Sequence, residues 1–124
     1  MRTNSLRKLV TQMIGTINRI KGVYYRKADP DAMYPHVVFN VRNINTGDLN
    51  RFDYELQLDI WDKSGKSYEI EEIADEVENI FKSVNLPQRD ISPTFYTIDR
   101  KTVDDEDKEI EHRQIYVIVQ LYDI

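Results

Sequence analysis

Phe52-Asp53-Tyr54-Glu55-Leu56-Gln57-Leu58-Asp59-Ile60-Trp61-Asp62 is the stretch that decides the fold. Phe52, Tyr54, Leu56, Leu58 and Ile60 fall on one side of an extended backbone, and Asp53, Glu55, Gln57 and Asp59 on the other. A strict period of two describes a strand with one buried face and one wet face, the habit of antiparallel sheets. Just upstream, His36 to Arg42 alternates in the same way: Val37, Phe39 and Val41 share one face, His36, Asn40 and Arg42 the other, and Val38 is the exception. Asn45-Thr46-Gly47-Asp48 between the two runs supplies turn chemistry. The two runs are therefore expected to pair as a hairpin with a long connection.

Downstream, Asp62-Lys63-Ser64-Gly65-Lys66 breaks the strand, and a helix capped near Ser67 follows. Its buried stripe is Ile70, Ile73, Ala74, Val77, Ile80, Phe81 and Val84, its early acids are Glu69, Glu71 and Glu72, and Pro87 stops it. A first helix is predicted over Ser5 to Ile20 from Leu6, Leu9, Val10, Met13, Ile14, Ile17 and Ile20, with Asn4 or Ser5 as cap and Gly22 just past its end. Val23-Tyr24-Tyr25 is a short β-prone stretch, and Asp29-Pro30-Asp31 reads as a loop. Thr94 to Lys101 and Ile115 to Leu121 read as a third and a fourth strand, joined by the acidic stretch Asp104 to Glu111. The expectation is one α+β domain over residues 1–124, a mostly antiparallel sheet of about four strands packed against two main helices.

The last strand differs from the others. Ile115, Val117, Val119 and Leu121 make one apolar face, yet Tyr116, Ile118 and Tyr122 make the opposite face largely apolar too. Such a strand is either central in a sheet covered on both sides or covered by another copy of the chain. Two helices are few for two faces, which favours a subunit contact.

Composition narrows the function classes. The chain has 124 residues, 40% hydrophobic and 31% charged, enough for one modest core. The absence of cysteine excludes disulfide scaffolds, thiolate zinc sites and cysteine nucleophiles. Uninterrupted apolar runs fall short of the roughly 20 residues that span a bilayer, so a soluble intracellular protein without a membrane partner is expected. The formal charge of -5 hides a division: residues 1–28 carry seven basic residues and no acid, and the remainder holds ten basic residues against 22 acids. A largely acidic body repels a phosphate backbone, which argues against sequence-specific nucleic-acid binding.

The search for chemistry leaves no catalytic, cofactor-binding or metal set. His36 and His112 lie far apart in sequence and outside any ligand spacing. Ser64-Gly65-Lys66-Ser67 has the letters that end a phosphate loop, but the first glycine of the motif is missing, so a turn and cap is the simpler reading. Asp104-Asp105-Glu106-Asp107 lacks the spacing and glycine of a calcium loop. A reading of another class comes from Pro30-Asp31 with Asp99-Arg100-Lys101, the loose spelling of a magnesium-dependent nuclease. In a chain this rich in charge the spelling also arises by chance.

The order of elements resembles the small tail terminator (tail completion, tail-to-head joining) proteins of bacteriophages and prophages, the group of minor tail protein U. The residues that carry the resemblance are the amphipathic first helix, Val23-Tyr24, Tyr34-Pro35-His36-Val37-Val38, the strand Phe52 to Asp62, and Ile70-Glu71-Glu72-Ile73-Ala74-Asp75-Glu76-Val77 after a Ser/Gly turn. The acidic loop after Thr102 departs from the family pattern. The resemblance implies a non-enzymatic virion protein without a cofactor, located in the tail or neck and assembled in the host cytoplasm. It implies a homo-oligomeric ring, typically a hexamer, whose partners are the tail tube protein and the head-tail connector, with DNA able to pass through. A head-side neck protein is the neighbouring alternative. On our reading of the residues, the interface candidates are Arg2, Arg7 and Lys8 at the start of the first helix, the acids Asp104, Asp105, Glu106 and Asp107, and the apolar Tyr116, Ile118 and Tyr122. The basic group of one copy would face the acidic group of the next.

Overall fold

The structure, a computed structural model, describes residues 2–44, 50–63 and 67–123. Strand β3 (Arg51–Asp62) pairs antiparallel with β2 (His36–Ile44), Val37 opposite Ile60 and Phe39 opposite Leu58, so the expected hairpin forms in register with its apolar faces matched. The turn residues Asn45 to Asp48, and Ser64 to Lys66 of the phosphate-loop spelling, lie outside the described residues. On its other side β3 pairs with β6 (Glu111–Asp123), Leu56 opposite Val117 and Leu58 opposite Ile115. Strand β5 (Ile91–Val103) then pairs with β6 as a long hairpin.

Among the described residues the sheet has six strands in the order β1-β2-β3-β6-β5-β4, where about four were expected. The extra members are short. Strand β1 (Gly22–Tyr25) lies parallel to β2, and β4 (Val84–Asn85) adds two residues beside β5. Val84, expected on the second helix, belongs to β4 because helix α2 (Ser67–Ile80) ends earlier and Ser83 takes a φ of 47° that turns the chain.

Helix α1 (Arg2–Gly15) starts before its expected caps and stops well before Ile20. The chain leaves the helix at Gly15, where helix propensity is poor, through a tight turn from Ile17 N–H to the Ile14 carbonyl. Ile17 still enters the core, and Arg19, beyond the helix end, pairs with Glu72 of α2. Gly22 is correspondingly no helix cap but the first residue of β1. A Cβ there would lie 2.6 Å from the Tyr24 hydroxyl, so glycine lets that ring lie against the strand.

Both helices cover the same face of the sheet. Leu6, Val10 and Ile14 of α1 and Ile70, Ile73 and Val77 of α2 pack on Leu56, Leu58, Ile115, Val117 and Val119 in one cluster of fully buried side chains. A bulge in β5 lets the helix layer recruit a cation. Thr97 pairs with Val117 and Asp99 with Tyr116, so Ile98 is the extra residue and Arg100, opposite Ile115, turns toward α2. Arg100 there meets Glu71 at 2.7 Å, Glu78 at 3.1 Å and Asp75. Arg113 of β6, buried on the same side, bonds Glu71 through Nε and Glu111 through Nη1 at 3.1 Å. These ion pairs tie α2 to the two strands beneath it.

Candidate functional site

With both helices on one side, the opposite face of the sheet has no helix over it among the described residues, and a row of side chains across β1, β2, β3, β6 and β5 is left facing outward. Its centre is a polar and aromatic cluster. Trp61 stacks on His112 with ring centroids 3.6 Å apart, and His112 Nε2 lies 2.7 Å from Asp59 Oδ1. Gln57 Nε2 donates to Asp59 Oδ2 at 3.0 Å. Burial alone would raise the Asp59 carboxyl, but the hydrogen bonds from His112, Gln57 and Gln114 outweigh it and hold it below the usual carboxylate range. His36, edge-on to Tyr24 and 4.9 Å from Tyr34, is pushed down by burial, partly opposed by its contact with the Met33 carbonyl. Arg26, Lys27, Tyr34, His36, Trp61 and His112 line a shallow cleft of about 520 Å³ at this corner.

The other half of the open face mixes the apolar groups of β6 with Gln57, Glu55 and Arg51 of β3, which lie opposite Tyr116, Ile118 and Tyr122. Tyr116 and Ile118 of β6 are half-buried and Tyr122 is exposed, and Tyr96 of β5 stands beside Ile118. Lys101 Nζ lies 5.3 Å from the centre of the Tyr116 ring. Tyr116, Ile118 and Tyr122 thus share the outward face of a central strand, with Gln120 between the last two. The strand is central and yet covered by helices on one side only.

The remaining sequence candidates lie elsewhere. Arg2 lays its guanidinium 3.6 Å from the centre of Phe52, and Arg7 lies 3.7 Å from that of Tyr25. Both stacks belong to the packing of α1 on the sheet. Lys8 is exposed beside a groove shared with Ser5, Gln12 and Asp90. Asp104, Asp105, Glu106 and Asp107 form the tip of the β5–β6 hairpin, where Asp105 Oδ1 accepts the Asp107 N–H at 2.9 Å and Asp107 Oδ1 the Glu109 N–H at 3.0 Å. The three groups are therefore not one site: the first is on the helix layer, the second at a hairpin tip and the third on the open face.

Asp31 and Asp99, the two acids of the nuclease spelling, are not brought together. Asp31 sits in the loop between β1 and β2, and Asp99 is on β5, with β3 and β6 in between. Arg100 is committed to α2. Among the described residues, no cluster of three or more His, Asp or Glu is arranged to hold a metal ion.

Sequence reasoning missed the Asp59–His112–Trp61 cluster. Spacing along the chain does not link the three, and only the register that sets Trp61 opposite His112 and Asp59 opposite Gln114 makes them neighbours. Cross-strand diagonals of this kind are set by pairing, not by spacing along one chain.

Comparison with known proteins gives a fold and no family. No protein-family model matches the chain, and no curated protein does. Among solved structures, a chain from the virion of a native gene transfer agent (GTA) particle superposes with a TM-score of 0.67 at 10% identity, covering 91% of this chain and 84% of that one. A second solved chain superposes with a TM-score of 0.68 at 12% identity, covering 98% and 92%. At such identities the likeness establishes the shared α+β fold over nearly the full length.

Proposed function

We propose that this protein is a non-enzymatic virion assembly protein of the tail terminator kind: a self-associating ring, hexameric in the family it resembles, that caps the tail tube, ends its polymerisation and joins tail to head. The observation that carries this reading is the fold likeness, over 91% of this chain, to a chain of a virion particle. The uncovered sheet face, with Tyr96, Tyr116, Ile118 and Tyr122 outward, supports work done by contact, because apolar groups left in water gain by association. The nuclease spelling gives it little competition, because its acids Asp31 and Asp99 sit on separated elements. The partners on this reading are further copies of the chain, the tail tube protein and the head-tail connector, and the location is the tail or neck of the virion.

The test is reconstitution. Purified chain added to polymerising tube protein should shorten the tubes in proportion to its amount, and electron microscopy should show a ring at one tube end. Tube lengths that do not respond to stoichiometric chain would refute the capping role. Binding to the connector without binding to tubes would move the protein to the head side of the joint.

A further inference from the structure

The two edges of the sheet are unlike and complementary, and we propose that they join one copy of this chain to the next, head to tail. The inference rests on the self-associating reading above and adds where the contact lies. Edge strand β1 and its adjoining turns carry Lys21, Arg26 and Lys27, all exposed, while Met33 and Tyr34 in the loop toward β2 expose 66% and 38% of their surface. None of the three cations has an ion-pair partner among the described residues. At the other side, β4 covers β5 only at Thr94 and Phe95, so among the described residues β5 has no strand neighbour outside Tyr96 to Val103. That edge exposes Tyr96 at 39% and Ile98 at 58% and runs into the acidic tip with Asp104, Glu106, Asp107 and Glu109. Each edge therefore offers two large apolar side chains together with an excess of one charge: Lys21, Arg26 and Lys27 against Asp29 and Asp31 on one, and Asp104, Glu106, Asp107 and Glu109 against Lys101 and Lys108 on the other.

The levels also match. Gly22, His36, Trp61, His112 and Val103 form one row of paired residues across the sheet. Lys21 precedes the first and Asp104 follows the last, so cation and acid stand at the two ends of the same row. Four strand spacings of about 4.8 Å separate them by about 19 Å, too far to meet within one copy. Unlike patches on opposite edges make a heterologous contact. Where the repeat axis runs along the strands, patches at one level meet without a rise per subunit, the condition for a closed ring rather than an open filament. Arg2 and Arg7 stay with their own aromatic rings, and the exposed cations of the β1 edge take the intermolecular role.

Charge reversal tests the contact. One variant carries Lys21→Glu, the other Asp104→Lys; both positions are exposed, and circular dichroism checks that both variants fold. Light scattering during size exclusion should show wild type assembling and each variant alone weakened by about tenfold or more. An equimolar mixture should recover assembly, because every mixed contact pairs opposite charges again. Variants that assemble like wild type, a mixture that stays apart, or wild type monomeric up to millimolar concentration would each overturn the contact. An assembled ring that leaves tube length unchanged would instead remove the capping role and leave the contact standing.

Discussion

Replacing Glu71 by Gln should separate the ion network from the hydrophobic packing of α2. Glu71 accepts from Arg113 Nε and from Arg100 Nη2 at 2.7 Å, and the Arg113 side chain is only 6% exposed while that of Glu71 is 46% exposed. Stripping the partner from a fully buried ion costs about 3–5 kcal/mol, whereas an exposed pair contributes about 0–1 kcal/mol. This pair lies between those limits. Arg113 also keeps Glu111 at 3.1 Å and the His112 carbonyl at 3.0 Å, so the expected loss is about 2 kcal/mol. In a domain of this size that lowers Tm by about 8 °C. The hydrogen bond from Arg113 holds the Glu71 carboxyl below its usual range, against the smaller opposing effect of burial. A depressed carboxyl contributes its stability in full above its unfolded value of about 4.3 and loses it as pH falls through the lower folded value. Urea unfolding of wild type and variant at pH 7 and again in acid is the assay. The gap should shrink in acid. A gap below about 0.5 kcal/mol at pH 7, or one that is the same at both pH values, would refute the reasoning.

Other outcomes follow from the same geometry. Asp59→Asn should cost about 1–2 kcal/mol at neutral pH and progressively less as the pH falls through the depressed folded value of Asp59, measured by thermal unfolding across pH. Phe81→Ala, which empties a site of zero exposure beside Phe95, should cost about 3–5 kcal/mol by denaturant titration. Gly22→Ala should destabilise by driving a methyl into the Tyr24 ring, and Tyr24→Ala should recover part of the loss in a double-mutant cycle.

Much of the layer structure is legible along the chain. The alternation of Phe52 to Ile60 and of Val37 to Val41 predicts the hairpin, and Ile70 to Val77 predicts the face that α2 buries. What sequence hides is non-local. Strand β1 has four residues and gains its place only by lying parallel to β2, a pairing that no local pattern encodes. The end of α1 is hidden because Ile17 and Ile20 keep the helical spacing although the chain has already turned, and both still pack at the core. The apolar outer face of β6 was legible from Tyr116, Ile118 and Tyr122. The cluster of Asp59, Trp61 and His112 was not, since it exists only once β3 and β6 are in register.

A strand is read in steps of two, so it has a frame, and Ile98 is a frameshift written into β5. Ahead of it the odd-numbered Ile91, Pro93, Phe95 and Thr97 address the helices; beyond it the even-numbered Arg100 and Thr102 do. The strand is thus two messages in one backbone, the first spelling core and the second spelling charge. A residue inserted just after Asp99 would cancel the shift, turn Arg100 outward and leave Glu71, Asp75 and Glu78 of α2 facing one another without it. A residue inserted in the hairpin tip would leave both messages intact. Length changes are therefore expected to be tolerated at the tip and not four residues earlier, although both places are on the surface.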